Sequence, residues 1–177
     1  TARFTVSQPA DVVYNGLEQR QDVTVADSKT GEDLAEGADY TLAYSDDATN
    51  VGTVTVTVTG TGNYAGEVVR TYQITPATLT VTTPSASKVY DGTALTADGT
   101  ISGLVNGETA TFATTGTQTA KGSSDNTYSL TWDGTAKASN YTVADTIGTL
   151  EVTAANITDT ARFTVSQPAD VVYNGLE

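Results

Sequence analysis

Val54, Val56 and Val58, separated by Thr55 and Thr57, form the cleanest stretch of alternating apolar and polar residues in the chain. Such period-two alternation predicts a strand with one buried face. Phe4 and Val6, with Gln8 beyond, alternate with Arg3, Thr5 and Ser7 and predict an earlier strand. Pro9 ends it, since proline cannot donate to a ladder. Val12 to Tyr14 is a short extended piece. Asn15-Gly16 is a turn, because both residue types accept positive φ. Val23 and Val25 predict another strand. The polar run Asp27 to Gly37 has room for at most one helical turn, around Asp33 to Glu36. Tyr40, Leu42 and Tyr44 share one strand face. Val68 to Ile74 returns as the partner of the Val54 stretch, a hairpin closed by Gly60 to Gly62.

The second half opens with Leu79 and Val81 on a strand ended by Pro84. Later strands centre on Leu95 to Ile101, Thr109 to Ala113, Tyr128 to Trp132 and Ile147 to Val152. Asn106-Gly107 and the stretch Gly122 to Asn126 read as turns.

A repeat underlies this pattern. Thr1 to Glu18 returns letter for letter as Thr160 to Glu177, with a shorter echo at Lys88-Val89-Tyr90-Asp91-Gly92. Tyr14, Tyr90 and Tyr173 mark three starts, each followed by a glycine (Gly16, Gly92, Gly175), with spacings of 76 and 83 by subtraction. Asn63-Tyr64 and Asn140-Tyr141 occupy matching places late in the first two units. Periods of this size indicate an array of small domains. The predicted units are 1–77, 78–159 and, in 160–177, the first strand and turn of a third. Pro76-Ala77 is the whole linker and leaves little room for hinge motion. About six or seven short strands in roughly 80 residues predict an all-β chain of two tandem Ig-like β-sandwiches in an extended array. A β-grasp fold is the alternative and would need a helix that only Thr30 to Gly37 could supply.

Thr and Val suit strands. The absence of Cys removes disulfides and zinc fingers, and the absence of His removes imidazole acid–base chemistry. A net charge of −13 disfavours nucleic acid and anionic lipid as partners. No apolar run reaches the roughly 20 residues of a membrane span, and no signal peptide opens the sequence.

Tyr14, Tyr90 and Tyr173 could stack on glycans. The favoured role is packing across a domain edge with the hydroxyl hydrogen-bonded, and the same applies to Asn63-Tyr64 and Asn140-Tyr141. Trp132 shares a strand face with Leu130 and is expected in the core. Asp27, Glu32, Asp33, Glu36 and Asp39, and the pair Asp46-Asp47, are read as solvated acidic loops. They lack EF-hand spacing, and calcium is the minor alternative. Without His or Cys no Ser or Thr has an evident activating base. Lys121-Gly122-Ser123, the one Ser–Lys arrangement weighed, is placed in a turn. An isopeptide crosslink from Lys29, Lys88, Lys121 or Lys137 would need a buried Lys, Asn and acid together. No catalytic residue, metal site or cofactor is assigned.

Val-Tyr-Asn-Gly, the run Glu36 to Ser45 and Gly60-Thr61-Gly62-Asn63-Tyr64-Ala65-Gly66 resemble the Ig-like repeats of surface proteins of gut Gram-positive bacteria. Ile74 to Val81 followed by Lys88-Val89-Tyr90-Asp91-Gly92-Thr93 is similar to the MBG and YDG repeats of large bacterial adhesins. The resemblance implies an extracellular, wall-attached or secreted multidomain protein. The expected function is a non-catalytic stalk or spacer whose partners are neighbouring repeats. The alternative is a carbohydrate- or mucin-binding module acting through avidity. Thr160 to Glu177 is expected to pair, through Phe163 to Gln167, with a neighbouring molecule in head-to-tail fashion, while Thr1 to Glu18 pairs within its own unit.

Overall fold

The computed structural model describes residues 3–45, 47–173 and 175. Asp46 of the Asp46-Asp47 pair lies outside the described residues. Those residues form β-strands and a single 3-10 turn, with no α-helix among them. The first seven strands are β1 (Phe4–Val6), β2 (Val12–Val13), β3 (Val25–Asp27), β4 (Glu32–Asp33), β5 (Tyr40–Tyr44), β6 (Gly52–Gly60) and β7 (Glu67–Thr75). They pair as two sheets, β1-β3-β4 and β2-β7-β6-β5. Val25, Val54, Val56, Val58, Tyr72 and Ile74 are buried in the core they share. The alternation of Val54 to Val58 thus places every valine inward and every intervening threonine outward.

Two features of this half depart from the sequence pattern. The helical turn expected around Asp33 to Glu36 is absent. Glu32 and Asp33 instead pair with Ala26 and Asp27, which extends a sheet and removes the helix that a β-grasp fold would require. Val23 is fully buried yet lies outside the ladder. Its stretch is held by side chains: the Tyr40 hydroxyl donates to the carbonyl of Val23 at 3.1 Å, Tyr44 to Gln21 at 2.8 Å, and Tyr72 to Gln19. Three tyrosine hydroxyls thus occupy carbonyls that a neighbouring strand would otherwise have bonded.

Pro76 alone separates β7 from β8 (Ala77–Thr82). There follow β9 (Ala86–Val89), β10 (Thr100–Ser102), β11 (Thr111–Thr114), β12 (Gly122–Asp125), β13 (Tyr128–Thr131), the 3-10 turn Ala138–Asn140, β14 (Tyr141–Thr146) and β15 (Thr149–Thr153). They pair as β10-β8-β14, β12-β15-β9 and β11-β13. Leu79, Val81, Leu150 and Val152 are buried here. Within Gly122 to Asn126, expected as a turn, Gly122–Asp125 is instead strand β12, antiparallel to β15 from Gly122 opposite Val152 to Asp125 opposite Thr149. This corrects the placement of Lys121-Gly122-Ser123 as well. Leu95 makes only an isolated bridge to Gln118.

The two halves share a layout that the Tyr motif marks. β2 runs parallel to the end of β7, with Val12 beside Ile74, and β9 runs parallel to β15, with Leu150 beside Ala86. Thr1 to Glu18 therefore contributes its strands locally, β1 to β3 and β2 to β7. Beyond β15 the backbone N–H of Phe163 donates to Asp159 at 2.8 Å in a local turn, and residues 164–173 form no strand.

Candidate interface between the two halves

Tyr14 continues the β2–β7 pairing, its N–H donating to the carbonyl of Thr75 at 2.8 Å. The chain then turns. The Leu17 N–H donates to Asn15 Oδ1 at 2.9 Å, and Gly16 takes φ +77°. This turn projects the Tyr14 ring out of its own sheet and against the C-terminal half, where it is only 4 % exposed. There it meets Tyr141 edge to face, centroids 5.7 Å apart at 82°. Tyr141 lies in turn on Trp132, centroids 5.6 Å apart at 24°. Trp132, half-buried just past β13, is thus part of this aromatic row.

One carboxylate ties the two tyrosines together. The Tyr14 hydroxyl donates to Glu108 Oε1, and the Tyr141 hydroxyl donates to Glu108 Oε2 at 2.5 Å. The Tyr141 oxygen also accepts the Val105 N–H at 3.1 Å. Burial first, and the Glu108 carboxylate second, raise both phenols above the usual tyrosine value, Tyr141 to about 12. Both therefore stay protonated as donors to an acceptor-only carboxylate, a charge-assisted arrangement stronger than a neutral one.

Glu108 is carried by a tight turn. Asn106 and Gly107 have φ of 49° and 69°, and the Glu108 N–H donates to the Val105 carbonyl at 2.9 Å. Asn106 Nδ2 donates to the Gly16 carbonyl at 3.0 Å. A Cβ at Gly16 would lie 2.6 Å from the Asn106 Cβ. Gly16 is thus required twice, by its positive φ and by the close approach of the facing turn.

A second patch lies to one side. Asn140, fully buried in the 3-10 turn, accepts the Val51 N–H at 3.0 Å and donates to Asn50 Oδ1 at 3.0 Å. Lys137 Nζ donates to the same Asn50 oxygen at 3.1 Å. Asp47 organises the loop by accepting the Thr49 and Asn50 N–H groups and the Asn50 side chain. The Asn50 and Thr49 backbone bonds, in that order, and then the Asn50 side chain hold the Asp47 carboxyl below its usual range. Two adjoining patches and the Pro76 junction therefore fasten the halves.

The other marked residues occupy different surroundings. Asn63 is exposed and Tyr64 half-buried in the β6–β7 loop, where Tyr64 meets Phe4 edge to face at 5.7 Å. Tyr90 is 44 % exposed and Tyr173 90 % exposed. Gly92 and Gly175 have φ of 81° and 75°. Asn174 lies outside the described residues. Of the acidic residues, Asp27 is buried and takes a forked contact from Arg3, 2.6 Å at its shortest. That contact, more than any other, lowers its carboxyl from the usual value. Among the described residues no group of three or more acidic side chains is placed to hold a metal ion, and no helix is long and apolar enough to cross a membrane.

The sequence pattern marks Asn106 only as a turn residue and Lys137 only as a crosslink candidate, and it marks neither Glu108 nor Asn50. The Asn106-Gly107 signal locates the turn that bears Glu108, but no local pattern joins that carboxylate to a tyrosine 94 positions away. Residues 79–151 match the family model described as MBG domain (YGX type). That span includes Tyr90, Glu108, Trp132 and Tyr141 but not Tyr14. No curated protein matches the chain.

Proposed function

With residues 79–151 an MBG domain, a repeat module typical of bacterial surface proteins, we propose that this chain is a non-catalytic stalk or spacer segment of an extracellular bacterial adhesin. In this reading residues 1–77 and 78–159 are successive units, and 160–177 opens a third. The observation that carries it is the Tyr14–Glu108–Tyr141 clasp at a junction whose linker is Pro76. A module that binds by itself has no need to bury an aromatic of one unit in the next. A module that sets the reach and direction of something more distal does. The absence of His and Cys from the sequence agrees with a non-catalytic role.

Small-angle scattering on the purified chain tests this. The expected distance distribution is that of an elongated particle with the cross-section of a single unit. A globular distribution, or one showing two units reorienting freely, overturns the reading.

A further inference from the structure

The Tyr90 end of the MBG domain repeats the Tyr14 end of the first half in its backbone. The Tyr90 N–H donates to the Thr153 carbonyl at 2.8 Å, as Tyr14 does to Thr75. The Thr93 N–H donates to Asp91 Oδ1 at 2.9 Å, as Leu17 does to Asn15. Yet a Cβ at Gly92 would meet nothing within 4 Å, and Val89, Tyr90 and Ile157 are exposed apolar side chains. An open cleft lies there among Tyr90, Lys121, Ala154, Ala155 and Ile157.

One segment of the chain already sits at this cleft. Phe163 lines it, and the Arg162 guanidinium donates to the Tyr90 carbonyl. Arg162 and Phe163 are the copies of Arg3 and Phe4 in the repeated stretch. In the first half Phe4 lines a cleft with Val6, Leu34 and Tyr64, and the acidic residues Asp39 and Glu67 line it too. Tyr64 lies just before the long strand β7, and Tyr141, which receives Tyr14, opens β14. Apolar surface and a lysine at one end are thus complementary to apolar surface and two acidic residues at the other.

We propose that the Tyr90 end of the MBG domain is the docking surface for a copy of residues 1–77 joined through Thr160. Tyr90 takes in that second junction the place of Tyr14 in the first, against the Phe4–Tyr64 cleft of the arriving copy, with Lys121 toward its Asp39 and Glu67. This rests on the stalk reading and adds the partner and the surface that continue it.

The test extends the chain by appending residues 19–77 after Glu177, which completes the copy. The sequence has no cysteine, so spin labels can be placed at Ser129→Cys with Thr53→Cys in either copy, and distances measured by pulsed electron resonance. A doubled set of amide signals for residues 19–77 verifies that the appended copy is folded. The expected result is a narrow distance distribution across both junctions. Tyr90→Ala, and separately Lys121→Glu, which leaves every buried contact in place, should abolish the narrow peak across the second junction only. A broad second junction beside a narrow first one overturns the inference and leaves the stalk reading standing. So does a narrow second junction that neither variant alters. Broad distributions at both junctions overturn the two together.

Discussion

Tyr14 and Tyr90 begin from the same local instruction and end in different environments. Each follows a valine, donates its N–H to the last strand of its own half, and precedes an Asx turn closed by a glycine of positive φ. Tyr14 is 4 % exposed and Tyr90 44 % exposed. The local motif therefore fixes where the ring is aimed, not what it meets. Tyr14 gains Tyr141 and Glu108 from the other half. Tyr90 shares an open cleft with Lys121, Ile157, three alanines and Phe163 from the repeated stretch. At the second turn Lys88 Nζ bonds Asp91 Oδ1 at 2.9 Å and the Thr93 hydroxyl at 2.7 Å, and this lysine first of all holds the Asp91 carboxyl well below its usual range. The loop at Tyr90 is thus organised from within, whereas the loop at Tyr14 is organised from across the junction.

Truncation should expose this contrast most strongly. Tyr14→Ala empties a buried aromatic site and should cost about 3–5 kcal/mol. Tyr90→Ala, at a half-open surface, should cost under about 0.5 kcal/mol in this chain. Urea denaturation of both variants checks the pair, and equal costs would break the comparison. Next come the glycines. Gly92→Ala meets only the strain of positive φ, about 1 kcal/mol, while Gly16→Ala adds the collision with Asn106 and should approach about 3 kcal/mol. Chemical shifts of Asn106 and Glu108 should move in the second variant alone.

Glu108→Gln keeps the size of the side chain but replaces the shared acceptor by an amide that can accept at one end only. A loss of about 2 kcal/mol is expected from hydrogen bonds to a charged group, and Tyr14→Phe should recover little further loss on that background. A double-mutant cycle reads the coupling. The smallest effect is in alkali. Tyr141 keeps its proton to about pH 12 when folded, while an unfolded tyrosine loses it near pH 10. Its contribution is complete below pH 10 and is lost as pH rises toward 12, because there the folded state holds more protons. Thermal melts across that window should decline less steeply for Tyr141→Phe.

Strands built on apolar alternation were legible in the sequence. Tyr40 to Tyr44 is a strand over those same residues, and Val54, Val56 and Val58 point into the core. Asn106-Gly107 forms the turn that its side chains favour. β12 was not legible, since Gly122-Ser-Ser-Asp has no apolar face and exists as a strand only because β15 supplies its ladder. β14 was missed for a related reason. Its exposed residues follow Tyr141 with little alternation, and its pairing with β8 is parallel and 64 positions distant. The β4 pairing replaced a helical turn because the carbonyls and N–H groups of β3 offered partners at no cost in burial. At the junction, Tyr14 and Tyr141 stood out as repeat markers. The carboxylate between them did not, because a glutamate after a surface turn looks like any other solvated charge until the facing half is in place.

The parallel pairing of β2 with β7, of β8 with β14 and of β9 with β15 has a consequence for how these modules yield. In each half a strand near the entrance lies parallel to one near the exit. Tension along the chain drags the two members of such a pair past one another in opposite senses. Every slanted bond of the ladder is then loaded in shear at once, from Tyr141 beside Ala77 to Thr146 beside Thr82. A hairpin pulled open from its end surrenders its bonds one at a time. Rupture under force is governed by the unfolding barrier rather than by equilibrium stability. Resistance on a tether and resistance to a denaturant are therefore separate properties of such a half.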